Sequence, residues 1–217
     1  MAASFGFALG GGCELILHCD AIQAHAESYI GLVETAVGLV PGWGGCKEML
    51  ERLSVAPSLA RGPMPAVAAA FETIGLAKTA KSAFEAKDLG FLRPDDRITF
   101  NRDRLLADAK DRALELAENY RPPEPPRLTL PGPSGKAALL LMASELRAQG
   151  KLTVHDEFIA TVLAEVLSGG PTHESNEPVS EDQILRLERE AALRLLHTEE
   201  TAARIDHMLN TGRPLRN

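Results

Sequence analysis

The period of apolar positions changes along the chain, and each change predicts an element. Residues 4–9 (SFGFAL) and 21–26 (AIQAHA) are short runs of apolar and small residues, the pattern of buried strands. Between them Gly10-Gly11-Gly12 opens a segment that reads as helix from about Gly12 to Cys19. Tyr29 to Val40 is apolar with breaks at Gly31 and Gly38, and it ends in Pro41-Gly42-Trp43-Gly44-Gly45. From Cys46 to Leu53 the period is helical, with Met49, Leu50 and Leu53 on one face. This alternation of strand and helix predicts an α/β fold, a parallel or mixed sheet covered by helices.

After Pro57 the pattern turns helical. Residues 64–77 are Ala-rich and apolar, and Ser82-Ala83-Phe84-Glu85 is a capping box opening a short helix that ends near Gly90. Residues 101–119 predict an amphipathic helix with Leu105, Leu106, Ala109, Ala113, Leu116 and Ala117 on one face. Six of the 14 prolines then fall between Pro122 and Pro133, which predicts an extended linker or an arm laid over a neighbour. Helical patterns follow at 134–148, 153–167 and 180–209, the last broken near Thr198. Ser180-Glu181-Asp182-Gln183 caps that last pattern, and Ile184, Leu187, Ala191 and Leu195 repeat along it at helical spacing. The charges from Glu181 to Arg189 read as a solvated face, and 169–179 reads as a polar loop.

Composition narrows the class. The 217 residues are 45% hydrophobic and 24% charged, which fits a soluble chain and excludes disordered, collagenous and coiled-coil readings. A net charge of −7 gives no basic footprint for nucleic acid or an anionic membrane. The apolar start lacks the basic region of a signal peptide, and no run of about 18 apolar residues is present to span a bilayer. Three cysteines without CxxC spacing argue against a disulfide framework or a zinc site and favour a cytoplasmic location. Cys13 and Cys46 read as small buried hydrophobes, and His18 and Trp43 as packing residues.

The averages conceal an asymmetry. From Met1 to Cys46 there is no Lys or Arg, while four acids (Glu14, Asp20, Glu27, Glu34) and nine of the 18 glycines lie there. Two nucleotide-site patterns fail: Gly132 to Ala137 has Leu130 and Ala137 where a phosphate loop needs Gly and Ser/Thr, and Leu15 and Lys47 break any GxGxxG. What remains is Gly10-Gly11-Gly12-Cys13-Glu14, followed by Glu34. A strand that stops in glycines and restarts as a helix presents unpaired N–H groups at the positive end of a helix dipole, suited to an oxygen that gains negative charge. Two carboxylates in an apolar, cation-free stretch repel each other and resist ionisation, as an acid/base pair requires. On these residues alone, the favoured reading is a dipole-stabilising Glu14 and a surface Glu34, because acids are common at helix starts.

The string GFALGGGCELILHCDAIQAHAESYIGLVETAVGLVPGWGG, Gly6 to Gly45, closely resembles the signature region of the enoyl-CoA hydratase (crotonase) family. The likeness covers the G-x-A-x-G-G-G-x-E-L turn and helix, the later glutamate, and P-G-x-G-G; Ser82 to Leu92 resembles a further family helix. The resemblance implies a partial crotonase-like (ββα spiral) core followed by a mostly helical C-terminal region. Residues 1–56 would be the C-terminal part of that core, 57–121 its helical completion, 122–133 a Pro-rich linker and 134–217 the helical region.

It also implies roles. Gly11 supplies an oxyanion N–H, Glu14 and Glu34 add water across a trans-2-enoyl-CoA, and Gly10, Gly12, Pro41, Gly42 and Trp43 contact substrate. No metal or redox cofactor is implied. The family's second oxyanion donor comes from earlier strands not among these residues, so the resemblance implies one piece of a longer protein. Residues 127–217 resemble the C-terminus of multifunctional β-oxidation proteins, in which NAD would serve a dehydrogenase region upstream. The implied partners are an acyl-CoA thioester and either a second copy or the missing half. Isomerisation of enoyl-CoA, or a non-catalytic assembly module, are the alternative functions.

Overall fold

The computed structural model describes residues 1–174 and 177–217. The apolar run 4–9 is two strands, β1 (Ala2–Ser4) and β2 (Phe7–Leu9), because Gly6 at φ +66° turns the chain between them. The two strands enter different sheets. β1 pairs in parallel with β3 (Ile22–His25), which pairs in parallel with β6 (Arg97–Thr99). β2 pairs in parallel with β4 (Tyr29–Gly31), and β4 pairs antiparallel with β5 (Thr79–Ala80). Helix α1 (Gly11–Leu17) carries the chain from β2 of one sheet to β3 of the other.

Helices α2 (Gly45–Ser54), α3 (Pro63–Gly75), α4 (Ala83–Asp88) and α5 (Leu105–Ala117) follow. Ser82 Oγ accepts the Glu85 N–H (3.1 Å), while the Glu85 carboxylate reaches past Ser82 to the Lys81 N–H (2.8 Å). The predicted apolar face of α5 is only partly covered. Leu105 and Ala109 are buried where α5 packs on β1 and β3, Ala113 and Leu116 are half-buried, and Leu106 is 76% exposed.

The proline-rich stretch is more than a linker. Between its proline pairs, Arg127–Thr129 keep their N–H groups and form β7, antiparallel to β8 (Pro178–Ser180), with Leu128 and Val179 buried across the ribbon. The expected 169–179 loop therefore ends in a strand; Ser175 and Asn176 of that loop lie outside the described residues. The Gly132 to Ala137 string forms the first turns of α6 (Gly132–Ala148). Then come α7 (Val154–Leu167), α8 (Glu181–Leu196) and α9 (Glu199–Thr211). A full capping box opens α7, in which Thr153 and Asp156 each accept the other's N–H. Thr198 caps α9 at the predicted break.

Helix α7 binds the two regions together. It packs on α3, α6 and α8, and Ile159, Leu163 and Leu167 join one continuous core with Leu17, Ile30 and Leu50. Leu163 is fully buried and contacts α3 beside Gly75. Leu163→Ala is expected to lower the free energy of unfolding by about 2–5 kcal/mol, read from the midpoint of a denaturant titration.

Candidate active site

The site begins at the glycine turn. Gly10 adopts φ +55°, ψ −127°, a conformation open to glycine alone, and its N–H donates to the Gly31 carbonyl at 2.9 Å. The first intrahelical bond of α1 runs from the Glu14 N–H to the Gly10 carbonyl (2.9 Å), so the N–H groups of Gly11, Gly12 and Cys13 precede the helical ladder. No heavy atom lies within 4 Å of where a side chain on Gly11 or Gly12 would begin, so a ligand oxygen meets no obstruction there. Gly10 faces Glu34: a Cβ on Gly10 would stand 3.3 Å from Glu34 Oε1.

The two glutamates occupy unlike environments. Glu14 is buried, and its Oε1 accepts the N–H groups of Trp43 (2.9 Å) and Gly45 (3.0 Å) from the turn that leads into α2. Glu34 opens a 3-10 turn, Glu34–Val37, and its Oε2 is buried without a hydrogen-bond partner among the described residues. Burial pushes the Glu34 carboxyl up to about 7; the N–H groups of Glu34 itself and Val33 oppose this, and the charge of Glu14 adds to it. A buried carboxyl oxygen without a partner disfavours the charged form. Cys13, beneath the turn, is held as a neutral thiol by burial and by Glu34.

The other predicted residues divide. Pro41 is buried, Gly42 lies half-buried against Ala192 of α8, and the His18 ring packs on Gly44 while its Nδ1 lies 2.8 Å from the Glu14 carbonyl. Trp43 is not a packing residue: its side chain is 78% exposed, because the turn directs its backbone N–H inward to Glu14 and the indole outward. Cys13 and Cys46 are fully buried free thiols, as expected of small hydrophobes.

Four buried residues were not singled out from the sequence. Glu188, expected on a solvated face, is fully buried and accepts the Gly44 and Lys47 N–H groups, each at 2.7 Å. Burial pushes its carboxyl up to about 8, against those two N–H groups. Its signal was present, since position 188 falls on the apolar stripe of Ile184, Ala191 and Leu195 at helical spacing. Arg52 donates to the Leu17 carbonyl and ties α2 to the end of α1. Thr201 donates to the Gly38 carbonyl (2.8 Å), and Arg204 to the Thr35 carbonyl (3.4 Å), so α9 grips the 3-10 turn bearing Glu34. Having given its single proton to Gly38, the Thr201 hydroxyl accepts from His155 Nε2 at 2.8 Å.

A family model described as enoyl-CoA hydratase/isomerase matches residues 1–70, the segment that holds the glycine turn and both glutamates. Residues 1–70 are thus similar to the enoyl-CoA hydratase/isomerase family. A crystal structure of carnitinyl-CoA hydratase from Mycobacterium avium matches 97% of this chain and 59% of its own, with TM-score 0.54 at 21% identity. The chain thus takes the crotonase-like α/β fold. Among curated relatives, the "Probable 3-hydroxyacyl-CoA dehydrogenase" of Bacillus subtilis is 44% identical over all of this chain, which spans 27% of that protein. The fatty acid oxidation complex subunit alpha of Idiomarina loihiensis is 53% identical over 45 residues, 21% of this chain and 6% of its own. No helix among the described residues is long and apolar enough to cross a membrane.

Glu34 carries a pH signature. An acid whose folded pKa is raised from 4.5 to about 7 binds more protons folded than unfolded across that window, so its contribution to stability falls as pH rises through it. Between pH 5 and pH 8, Glu34→Gln is expected to lose less stability than the unaltered protein, by about 1–3 kcal/mol, in denaturant titrations. Glu188 shifts in the same direction in both proteins and cancels from the comparison.

Proposed function

We propose that these residues carry the acid/base machinery of an enoyl-CoA hydratase, acting on trans-2-enoyl-CoA thioesters in fatty-acid β-oxidation. The unlike environments of Glu14 and Glu34, on either side of an open glycine turn, carry this reading. Glu14, tied to two amides, is oriented as a base. Glu34, raised toward neutrality, holds a proton to give.

In the proposed step Glu14 takes a proton from water as the oxygen bonds to Cβ of the substrate. The electrons of the Cα=Cβ bond move toward Cα, and charge collects on the thioester oxygen, which the Gly11 N–H stabilises. Glu34 delivers its proton to Cα, and exchange with solvent resets both carboxyls. Gly10, Gly12, Pro41, Gly42 and Trp43 line the approach for substrate. The thioester carbonyl is the electron sink, so the step calls for no metal and no redox cofactor.

The whole-chain similarity to a relative named for 3-hydroxyacyl-CoA dehydrogenation supports placing these residues within a larger protein. There hydration would supply the hydroxyacyl-CoA that an NAD-dependent region oxidises. The full-length protein is expected to hydrate crotonyl-CoA, followed as loss of the conjugated-enoyl absorbance. Glu14→Gln and Glu34→Gln should each lower kcat by about 10²–10⁴. Conversion of 3-enoyl-CoA to 2-enoyl-CoA without hydration would reassign the site to isomerisation, and no turnover of either substrate would leave an assembly module.

A further inference from the structure

The N–H groups around the start of α2 are shared between two carboxylates in alternation. Trp43 and Gly45 donate to Glu14, while Gly44 and Lys47 donate to Glu188. Glu14 comes from α1 and Glu188 from α8, so the turn is held from two elements remote in sequence. We propose that Glu188 is a positioning residue for Glu14: by fixing Gly44 and Lys47 it holds the turn whose neighbouring amides aim the Glu14 carboxylate. The inference rests on the hydratase reading of Glu14.

Geometry supports this. Glu188 uses both oxygens, one per N–H, so it fixes the turn's rotation as well as its distance from α8. Nearby, a Cβ on Gly42 would stand 3.1 Å from Ala192, and one on Gly44 3.3 Å from Leu185, so α8 lies directly on the turn. The Lys47 ammonium is paired with Glu48 and Glu181, leaving backbone amides as the donors to Glu188. The ionisable groups that face Glu188 are Glu14 from α1, Lys47 and Cys46 from α2, and His18 across Gly44. A rotation of the turn would move both Glu14 donors together, and a misplacement on the order of 1 Å can cost about 10²-fold in rate.

The test compares Glu188→Gln and Glu188→Asp in the full-length protein, by crotonyl-CoA kinetics and amide-resolved hydrogen exchange. Gln matches the shape of Glu but sets an NH2 against one of the two N–H groups; Asp keeps two carboxyl oxygens as acceptors on a shorter arm. We expect Glu188→Gln to lower kcat about 10–100-fold with KM within about twofold, and to speed exchange at Gly44 and Lys47. Glu188→Asp should recover part of the lost kcat. A purely space-filling residue gives the reverse order, Gln active and Asp impaired, and that order overturns the proposal. So does unchanged kcat in a variant whose turn amides exchange faster. If Glu188→Gln does not fold, Glu188→Asp is compared with Glu188→Asn, which has the same short arm but sets an NH2 against one N–H: a higher kcat in Asp than in Asn supports the proposal, and equal kcat overturns it. If the unaltered protein hydrates no enoyl-CoA, the hydratase reading fails. Exchange at Gly44 and Lys47 then decides separately: no change in the variants overturns the hold on the turn, and faster exchange sustains it.

Discussion

The N-terminus of α2 is the point on which the site depends. A helix start leaves N–H groups without acceptors, and here the residues before it are glycines and an outward-facing tryptophan, with no Ser, Thr, Asp or Asn to cap locally. Two carboxylates imported from other helices fill that need. The arrangement also resolves the charge asymmetry of the opening. Residues 1–46 hold no Lys or Arg, yet Glu14 is buried among them, and the positive end of the α2 dipole with its amides takes the place of a cation.

Glu34 is built on the opposite principle. Its turn is held by its neighbours' carbonyls: Arg204 takes that of Thr35 and Thr201 that of Gly38, while its own Oε2 is left without a partner. Arg204 in turn is paired with Asp156 at 2.8 Å and bonded to Thr153, the two residues of the α7 capping box. The backbone under Glu34 is therefore tied to α7 and α9, and burial of its carboxyl outweighs the N–H groups of Glu34 and Val33 that favour the ionised form. The Glu14 carboxylate is held by two amides and the Glu34 carboxyl is raised by burial, the difference of environment on which the proposed division into base and acid rests.

The sequence was most readable where local rules act. The triple glycine, the helical spacing of Met49, Leu50 and Leu53, and the caps at Ser82 and Ser180 each depend on neighbours within a few residues, and the corresponding elements are present. Glu14 and Glu34 stood out because each lies beside a glycine break in an apolar stretch. The failures share one cause, long range. Gly6 divides a run that composition alone joins, β7 exists because β8 lies beside it 50 residues later, and the outward turn of Trp43 follows from a bond to Glu14. Glu188 was disguised by the charges around it, although it occupies a core position of α8.

The bonds from Gly44 and Lys47 to Glu188 span 144 and 141 residues. During synthesis at about 5–20 residues per second, the start of α2 therefore waits on the order of ten seconds before its second acceptor emerges. In that interval the amides assigned to Glu188 are free to be claimed by water or by the wrong oxygen. Glu188 lies between Ile184 and Ala191, both core residues, so the turn beside Glu14 and the last part of the core to emerge become fixed together.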